Sequence, residues 1–572
     1  MEYTIKNSSF WLLFLLCGLT LLPFLGLAEY HSDGEPREAV VSWTMLVNDD
    51  WTLPRNNDGD MSFKPPFFHW CVNVAAIVRG DLTEGASRVP STLALIGMTL
   101  WCFGFLARRK GIETGLLTAL VAFTTYGLHR AGTVCRVDMM LTAATVCALY
   151  MFYRWYEQGM RDAASLILAV LLMGVATLTK GPVGSIIPCL VMGCYMLLRG
   201  TNPLKAFFLM LGCGLLSMVP YALWFYAAWL KGGQAFLDLV YAENIGRMIK
   251  AMGYESNVQP WYFNLETLLV GFLPWTLMLV VSLCNRPTVR RLLWLPSWRL
   301  HPLRWLREAD PVDLFSLTAM VVVFIFYSIP QTKRLAYLLP MYPFVAYFVA
   351  RYMLWMADNR QSVMRRWSII LSVLSMLVPI LFLLLRSGII QSAWLPEGEY
   401  RSVAEGALRD WQQADLWWQW LVVLIPAAFG LYGFFRRKSD DSHNILTVLF
   451  LTFGLWLAVD GLFAPAVCNS SSVRTASIHI NHAAPASEAP LYEFIGRSVG
   501  EKGDYIHFFE VNFYLRNRIR NFSRRPDSGF LLITREDARR HLPLFEREGY
   551  RFRLHYEADR REMQVYAFTR TK

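Results

Sequence analysis

The chain has 572 residues, 55% hydrophobic and 17% charged, where an ordinary soluble domain carries roughly a quarter charged. That balance excludes both disorder and a single water-soluble core, because apolar runs near or above the ~18 residues needed to cross a bilayer recur as far as Pro465. The formal charge of +11 lies largely in basic runs flanking apolar segments, where Lys and Arg orient helices and meet anionic lipid, so it is not a nucleic-acid footprint.

Read in chain order, the apolar pattern predicts spanning helices at 10–28, 88–107, 112–129, 137–153, 163–179, 183–198, 206–229, 265–284, 312–329, 335–350, 367–386, 416–435 and 445–465. This is an α-helical integral membrane protein of about thirteen crossings. The first run is long for a cleaved leader and is read as a retained helix. The ten cysteines make no disulfide framework, since Cys17, Cys102, Cys147, Cys189, Cys194, Cys213 and Cys284 sit inside apolar runs as core thiols.

With a cytoplasmic N-terminus, alternate connections carry Arg108-Arg109-Lys110, Arg154 with Arg161, Arg199 with Lys205, Arg286 through Arg307, Arg351 through Arg366, and Arg436-Arg437-Lys438. All are basic, as the positive-inside rule requires. An odd number of crossings then puts the loops 29–87, 230–264 and 387–415, and the tail after Pro465, on the outer side. In the first outer loop Val40, Trp43 and Val47 recur at helical spacing, which predicts a short interfacial helix. The tail changes composition, with strands expected at Tyr505–Phe509, Phe530–Thr534 and Val565–Phe568 and a helix capped by Thr534 that ends at Gly549. The chain therefore divides into a transmembrane part, 1–465, and a small outer α/β domain, 466–572.

The outer-side cations Arg37, Lys64, Arg136, Lys180, Arg247, Lys333 and Arg334 have no topological reason to be there. Charges near membrane depth are costly, and they ask for an anion. They fall among motifs that carry chemistry. His31-Ser-Asp33-Gly-Glu35-Pro-Arg37 puts two acids beside an arginine, the residue types of general-base or metal work, although a solvated loop has the same composition. In Phe63-Lys64-Pro65-Pro66 the prolines fix the backbone and hold a cation that suits a lipid-borne phosphate. Asp138 opens a helix just after Arg136, where the helix dipole alone also favours an acid. Thr177-Leu-Thr-Lys180-Gly181-Pro182-Val-Gly184 is a helix break whose lysine and freed amides suit an anion.

Asp-X-Glu-Pro-Arg, Lys-Pro-Pro, Asp-Met-X-Leu-Thr and Leu-Thr-Lys-Gly-Pro-Val-Gly occur in this order, followed by Glu243-Asn244-Ile-Gly-Arg247, Gln259-Pro260-Trp261-Tyr262 and Lys333-Arg-Leu-Ala-Tyr337-Leu-Leu-Pro340. The ordered set, covering roughly residues 30 to 345, resembles the polytopic GT-C glycosyltransferases that include the aminoarabinose (lipid A) transferases and the protein O-mannosyltransferases. The resemblance implies a GT-C bundle with a periplasmic α/β domain. It implies catalytic carboxylates at Asp138 and at Asp33 or Glu35, and polyprenyl-phosphate contacts at Arg37, Lys64, Arg247 and Lys333. Glu243, Asn244 and Tyr337 fall on further motif positions. The chain departs from the family pattern at Gly34, which separates Asp33 from Glu35, at Phe63, where a glutamate is usual, and at Asn244, where a histidine is usual.

The expectation is therefore a multi-pass protein of a bacterial inner membrane, with its site facing the periplasm. It is expected to be an inverting glycosyltransferase that moves one sugar from a polyprenyl-phosphate donor to a lipid, glycan or protein acceptor, with a lipid A-type acceptor favoured. A transporter of lipid-linked glycans would share the cations but has no need of paired acids, and a ligase moving a whole glycan would share nearly everything. Catalysis is expected not to need a bound divalent cation, since Phe63 cannot coordinate and Asn244 is a weak ligand, with Asp33, Glu35, Glu243 and His31 as the remaining candidates.

Overall fold

Long apolar runs have no alternative in lipid to satisfying their backbone internally, and they fold accordingly into helices. The computed structural model describes residues 2–32, 34–242, 258–284, 308–359, 362–398, 400–436, 441–496, 507–558 and 562–571. Glu243, Asn244 and Arg247 lie outside these residues, as does Asp33.

Among the described residues eight helices are long and apolar enough to cross a membrane, and ten if each of two bent pairs is one span. The pairs are Tyr126–Gly132 with Val137–Glu157, bent by 115°, and Phe263–Gly271 with Trp275–Leu283, bent by 97°. The expected thirteen is therefore not reached by length. The shortfall falls on Ile112–Thr124, Val183–Leu198 and Tyr342–Asp358, of 13, 16 and 17 residues. At ~1.5 Å per residue the shortest of these spans only about 20 Å.

The chain forms two compact units. The first, residues 1–27, 88–223 and 259–467, is the helical bundle. Its core is aromatic in the middle: Tyr150 stacks on Phe105 at 4.2 Å, and Tyr153 lies 4.9 Å from Phe315. At one end of the bundle Arg109 bonds Glu157 through Nε at 3.1 Å, and Lys110 pairs with Asp310 at 2.6 Å. The expected break after Lys180 is present between Ala163–Lys180 and Val183–Leu198. Gly181 turns the chain there at φ +89°, and a Cβ on Gly184 would run into the carbonyl carbon of Ala176. Glycine is what lets the two helices touch backbone to backbone.

The second unit joins residues 28–87, 224–258 and 468–572. The predicted helix around Val40 and Trp43 is Gly34–Asn48, and a second helix, Phe67–Arg79, follows the double proline. The tail builds a five-stranded sheet from β1 (Leu491–Glu493), β2 (Arg520–Asn521), β3 (Ser528–Thr534), β4 (Tyr550–Glu557) and β5 (Met563–Arg570), in the order β2-β1-β3-β5-β4. β1 runs parallel to β2 and β3, while β3, β5 and β4 are antiparallel. Thr534 caps Arg535–Arg547 by accepting from the Asp537 amide, and that helix covers Leu531, Ile533 and Phe568. Arg474–Ala483 and Phe509–Tyr514 cover the opposite face, over Leu532 and Val565. Of the strand expected at Tyr505–Phe509, residues 505 and 506 lie outside the described residues, and the described end is corrected: Phe508 is the N-cap of a helix that begins at Phe509. The buried Glu493 carboxylate takes the Phe508 amide at 2.9 Å, which satisfies the helix N-terminus with a side chain.

Candidate functional site

In the first unit Asp138 sits in the first turn of Val137–Glu157, and its side chain is 11% exposed. The Arg136 carbonyl is fixed by the Ser91 hydroxyl at 3.2 Å, so Arg136 enters the helix extended and its Nε lies 3.7 Å from Asp138 Oδ2. Lys180, the last residue of the Ala163–Lys180 helix, makes an ion pair with Asp138 Oδ1. Its ammonium also lies 4.9 Å over the ring of Tyr337, which stacks on Tyr327 at 5.0 Å. The acid expected from one motif, the lysine from another and the tyrosine from a third thus converge on one place. Tyr327 joins them although it stands in an apolar helix and carries no motif. Lys333 is 5% exposed and donates to the carbonyl of Gln259 at 3.3 Å. The amides expected to be free at the Lys180 break are not free: Gly181, Gly184 and Ser185 donate to Thr177, Gly181 and Pro182. Any anion there meets the lysine and not a nest of N–H groups.

In the second unit Glu35 opens the Gly34–Asn48 helix and is 2% exposed. One turn on, Glu38 is equally buried and gathers the cations. Its Oε1 receives Lys64 and, at 3.3 Å, Arg37; its Oε2 lies 3.0 Å from His69 Nε2. Burial works against the charged form, but Lys64, the His69 bond and Arg37 outweigh it and hold the Glu38 carboxyl well below the usual carboxylate range. Pro65 and Pro66 set the chain so that Lys64 stands just before the Phe67–Arg79 helix, which carries His69 in its first turn. Glu38 and His69 are functional candidates that sequence reasoning missed. Glu38 stands in the segment predicted as an interfacial helix, where its place three residues after Glu35 puts both acids on one helix face.

Among the described residues no group of three or more His, Cys, Asp or Glu side chains is gathered for a metal ion. His31 is held by the Glu29 carbonyl at 3.5 Å and lies 4.0 Å from the Cys468 sulfur.

Residues 63–226 match the family described as dolichyl-phosphate-mannose-protein mannosyltransferase. Over most of its length the chain superposes on ArnT from Cupriavidus metallidurans in the apo state, with a TM-score of 0.70, 98% of each chain covered and 17% identity. The fold is that of ArnT. The structure of the same ArnT bound to undecaprenyl phosphate matches equally, at TM-score 0.70 and 17% identity over 97% of each chain. In sequence the chain is 27% identical over 356 residues to an undecaprenyl phosphate-alpha-4-amino-4-deoxy-L-arabinose arabinosyl transferase of Aeromonas salmonicida, a match covering 60% of this chain and 58% of that protein. The chain thus spans about three fifths of the length of the curated relatives that it matches. The resemblance to GT-C glycosyltransferases of the aminoarabinose kind, first carried by ordered motifs, extends to the ArnT fold.

Proposed function

We propose that this protein is a membrane glycosyltransferase that transfers one sugar from a polyprenyl-phosphate donor to an acceptor on the periplasmic face, with inversion at the anomeric carbon. The observation that carries the reading is the presence of partly buried, oriented cations, Lys64 with Arg37 and Lys180 with Arg136, each set against a carboxylate. Leaving-group departure puts negative charge on the donor phosphate, and preorganised cations in a low-dielectric site stabilise that charge without reorganising. Undecaprenyl phosphate bound to an ArnT of the same fold supports the same ligand class.

Arg37, Lys64, Lys180, Arg247 and Lys333 are assigned to the phosphate. Asp138 is assigned the base for a hydroxyl acceptor, with Asp33 or Glu35 as the second acid; a phosphate acceptor such as that of lipid A needs no strong base, and the acids then orient it. Tyr337 is assigned to seat the Lys180 ammonium. Glu243 and Asn244 are assigned to the site by resemblance. Residues 1–465 are read as the catalytic membrane domain and 466–572 as a periplasmic α/β domain. No divalent cation is required in this scheme.

Glycolipids and glycoproteins of a deletion strain compared by mass spectrometry test the reading. Loss of a single sugar from one acceptor is expected, with the polyprenyl-linked sugar accumulating. Loss of a whole glycan would make it a ligase, and an unchanged acceptor pool would overturn transfer altogether.

A further inference from the structure

Glu38 is lodged against the cations assigned to the donor phosphate, where a carboxylate competes with a phosphate. Lys64 and Arg37 share one of its oxygens, His69 takes the other at 3.0 Å, and the side chain is 2% exposed. A site built only to grip an anion has no use for this acid. The chemistry of transfer supplies one. The acceptor oxygen bonds to the anomeric carbon, the bond from that carbon to the phosphate oxygen breaks, and the electron pair stays on the phosphate; a hydroxyl acceptor gives its proton to a carboxylate. The donor is a phosphodiester with one negative charge. The released lipid phosphate is a monoester carrying about 1.5 to 2. Cations that suffice for the donor hold the product more strongly, and without an opposing charge beside them product release would become the slow step.

We infer that Glu38 is a positioning residue that sets Lys64 and Arg37 and, by its own charge, keeps the spent polyprenyl phosphate from being trapped. This rests on the phosphate reading of Lys64. The His69 contact supports it, because a ring nitrogen 3.0 Å from Oε2 orients the carboxylate toward the two cations, and the other ring nitrogen, Nδ1, is buried with no hydrogen-bond partner among the described residues.

Glu38→Gln keeps the shape and removes the charge. In purified, reconstituted full-length protein it is expected to bind undecaprenyl phosphate about tenfold tighter, the order expected for one uncompensated neighbouring charge. Both kcat and KM should fall, and Glu38→Asp should restore them. Unchanged or weaker binding with a raised KM would overturn the inference and leave Glu38 as packing. Should Glu38→Gln not fold, the wild type still decides: undecaprenyl phosphate must bind within about tenfold of the intact donor, and a preference of about a hundredfold or more would overturn the inference. Lys64→Ala run in parallel keeps the two readings apart, since wild-type phosphate affinity in that variant removes the phosphate site itself.

Discussion

At Lys64 the question is what a nearly buried ammonium is for. Its side chain is 14% exposed and paired with Glu38. Charge-assisted contacts contribute about 1.5 to 3 kcal/mol each, so Lys64→Ala should weaken undecaprenyl phosphate binding by one to two orders of magnitude in a direct binding measurement. Asp138→Asn separates roles differently: removing a general base typically costs about 10² to 10⁴ in turnover with little change in donor binding, read from single-turnover rates beside binding isotherms. Turnover within a few-fold of wild type in Asp138→Asn would leave Asp138 as the structural partner of Lys180. The sequence made Asp138, Lys180 and Tyr337 candidates separately, since each stands in a recognisable motif. It did not make Glu38 one, because a buried acid is defined by what lies over it, and Lys64 and His69 come from 26 and 31 residues further along.

At the scale of elements the turns are decisive. A methyl group on Gly184 would collide with the backbone of Ala176, which cannot swing aside as a side chain would. Gly184→Ala should therefore destabilise by about 1 to 3 kcal/mol, seen as a lower melting temperature in detergent and as reduced activity if Lys180 moves with its helix. In the tail, Thr534→Ala removes the acceptor for the Asp537 amide and should cost about 1 kcal/mol, measured by denaturant unfolding of the full chain. The capped helix and its flanking strands were legible because Thr534, the acidic first turn and Gly549 act locally. The Phe509–Tyr514 helix was not, since its N-terminus is satisfied by Glu493, a residue of another strand.

At the scale of the molecule, the second unit is held together by buried polar bonds between distant stretches. Asn57 donates to Glu493 at 2.8 Å across 436 residues of sequence, and His507 bridges Glu493 at 2.7 Å and Asp60 at 3.2 Å. Burial disfavours charge on His507, but Asp60 and Glu493 outweigh it and raise its pKa from 6.5 to about 9. A raised folded pKa stabilises fully below 6.5 and loses that contribution as pH climbs through about 9. The wild type should therefore lose stability between pH 7 and 10 relative to His507→Gln, by on the order of 3 kcal/mol at most, with parallel melting curves as the measurement. Orientation is a second prediction at this scale. A periplasm-active reporter fused after Lys572 should be active, which requires an odd number of crossings, as in the count of thirteen reached when the short helices Ile112–Thr124, Val183–Leu198 and Tyr342–Asp358 cross as well as the bent pairs. Cytoplasmic reporter activity would instead mean an even count, such as the eight or ten reached by length alone.

Apolar periodicity, basic connections, helix caps and turn glycines act over a few residues, and for that reason the sequence by itself determined a helical membrane protein with an α/β tail and marked its cations and acids. Which cation meets which acid was decided only in three dimensions. The Coulomb and desolvation terms that set Asp138 beside Lys180, Glu38 beneath Lys64 and His507 between Glu493 and Asp60 depend on a few ångströms of separation and on exclusion of water, and chain packing sets both.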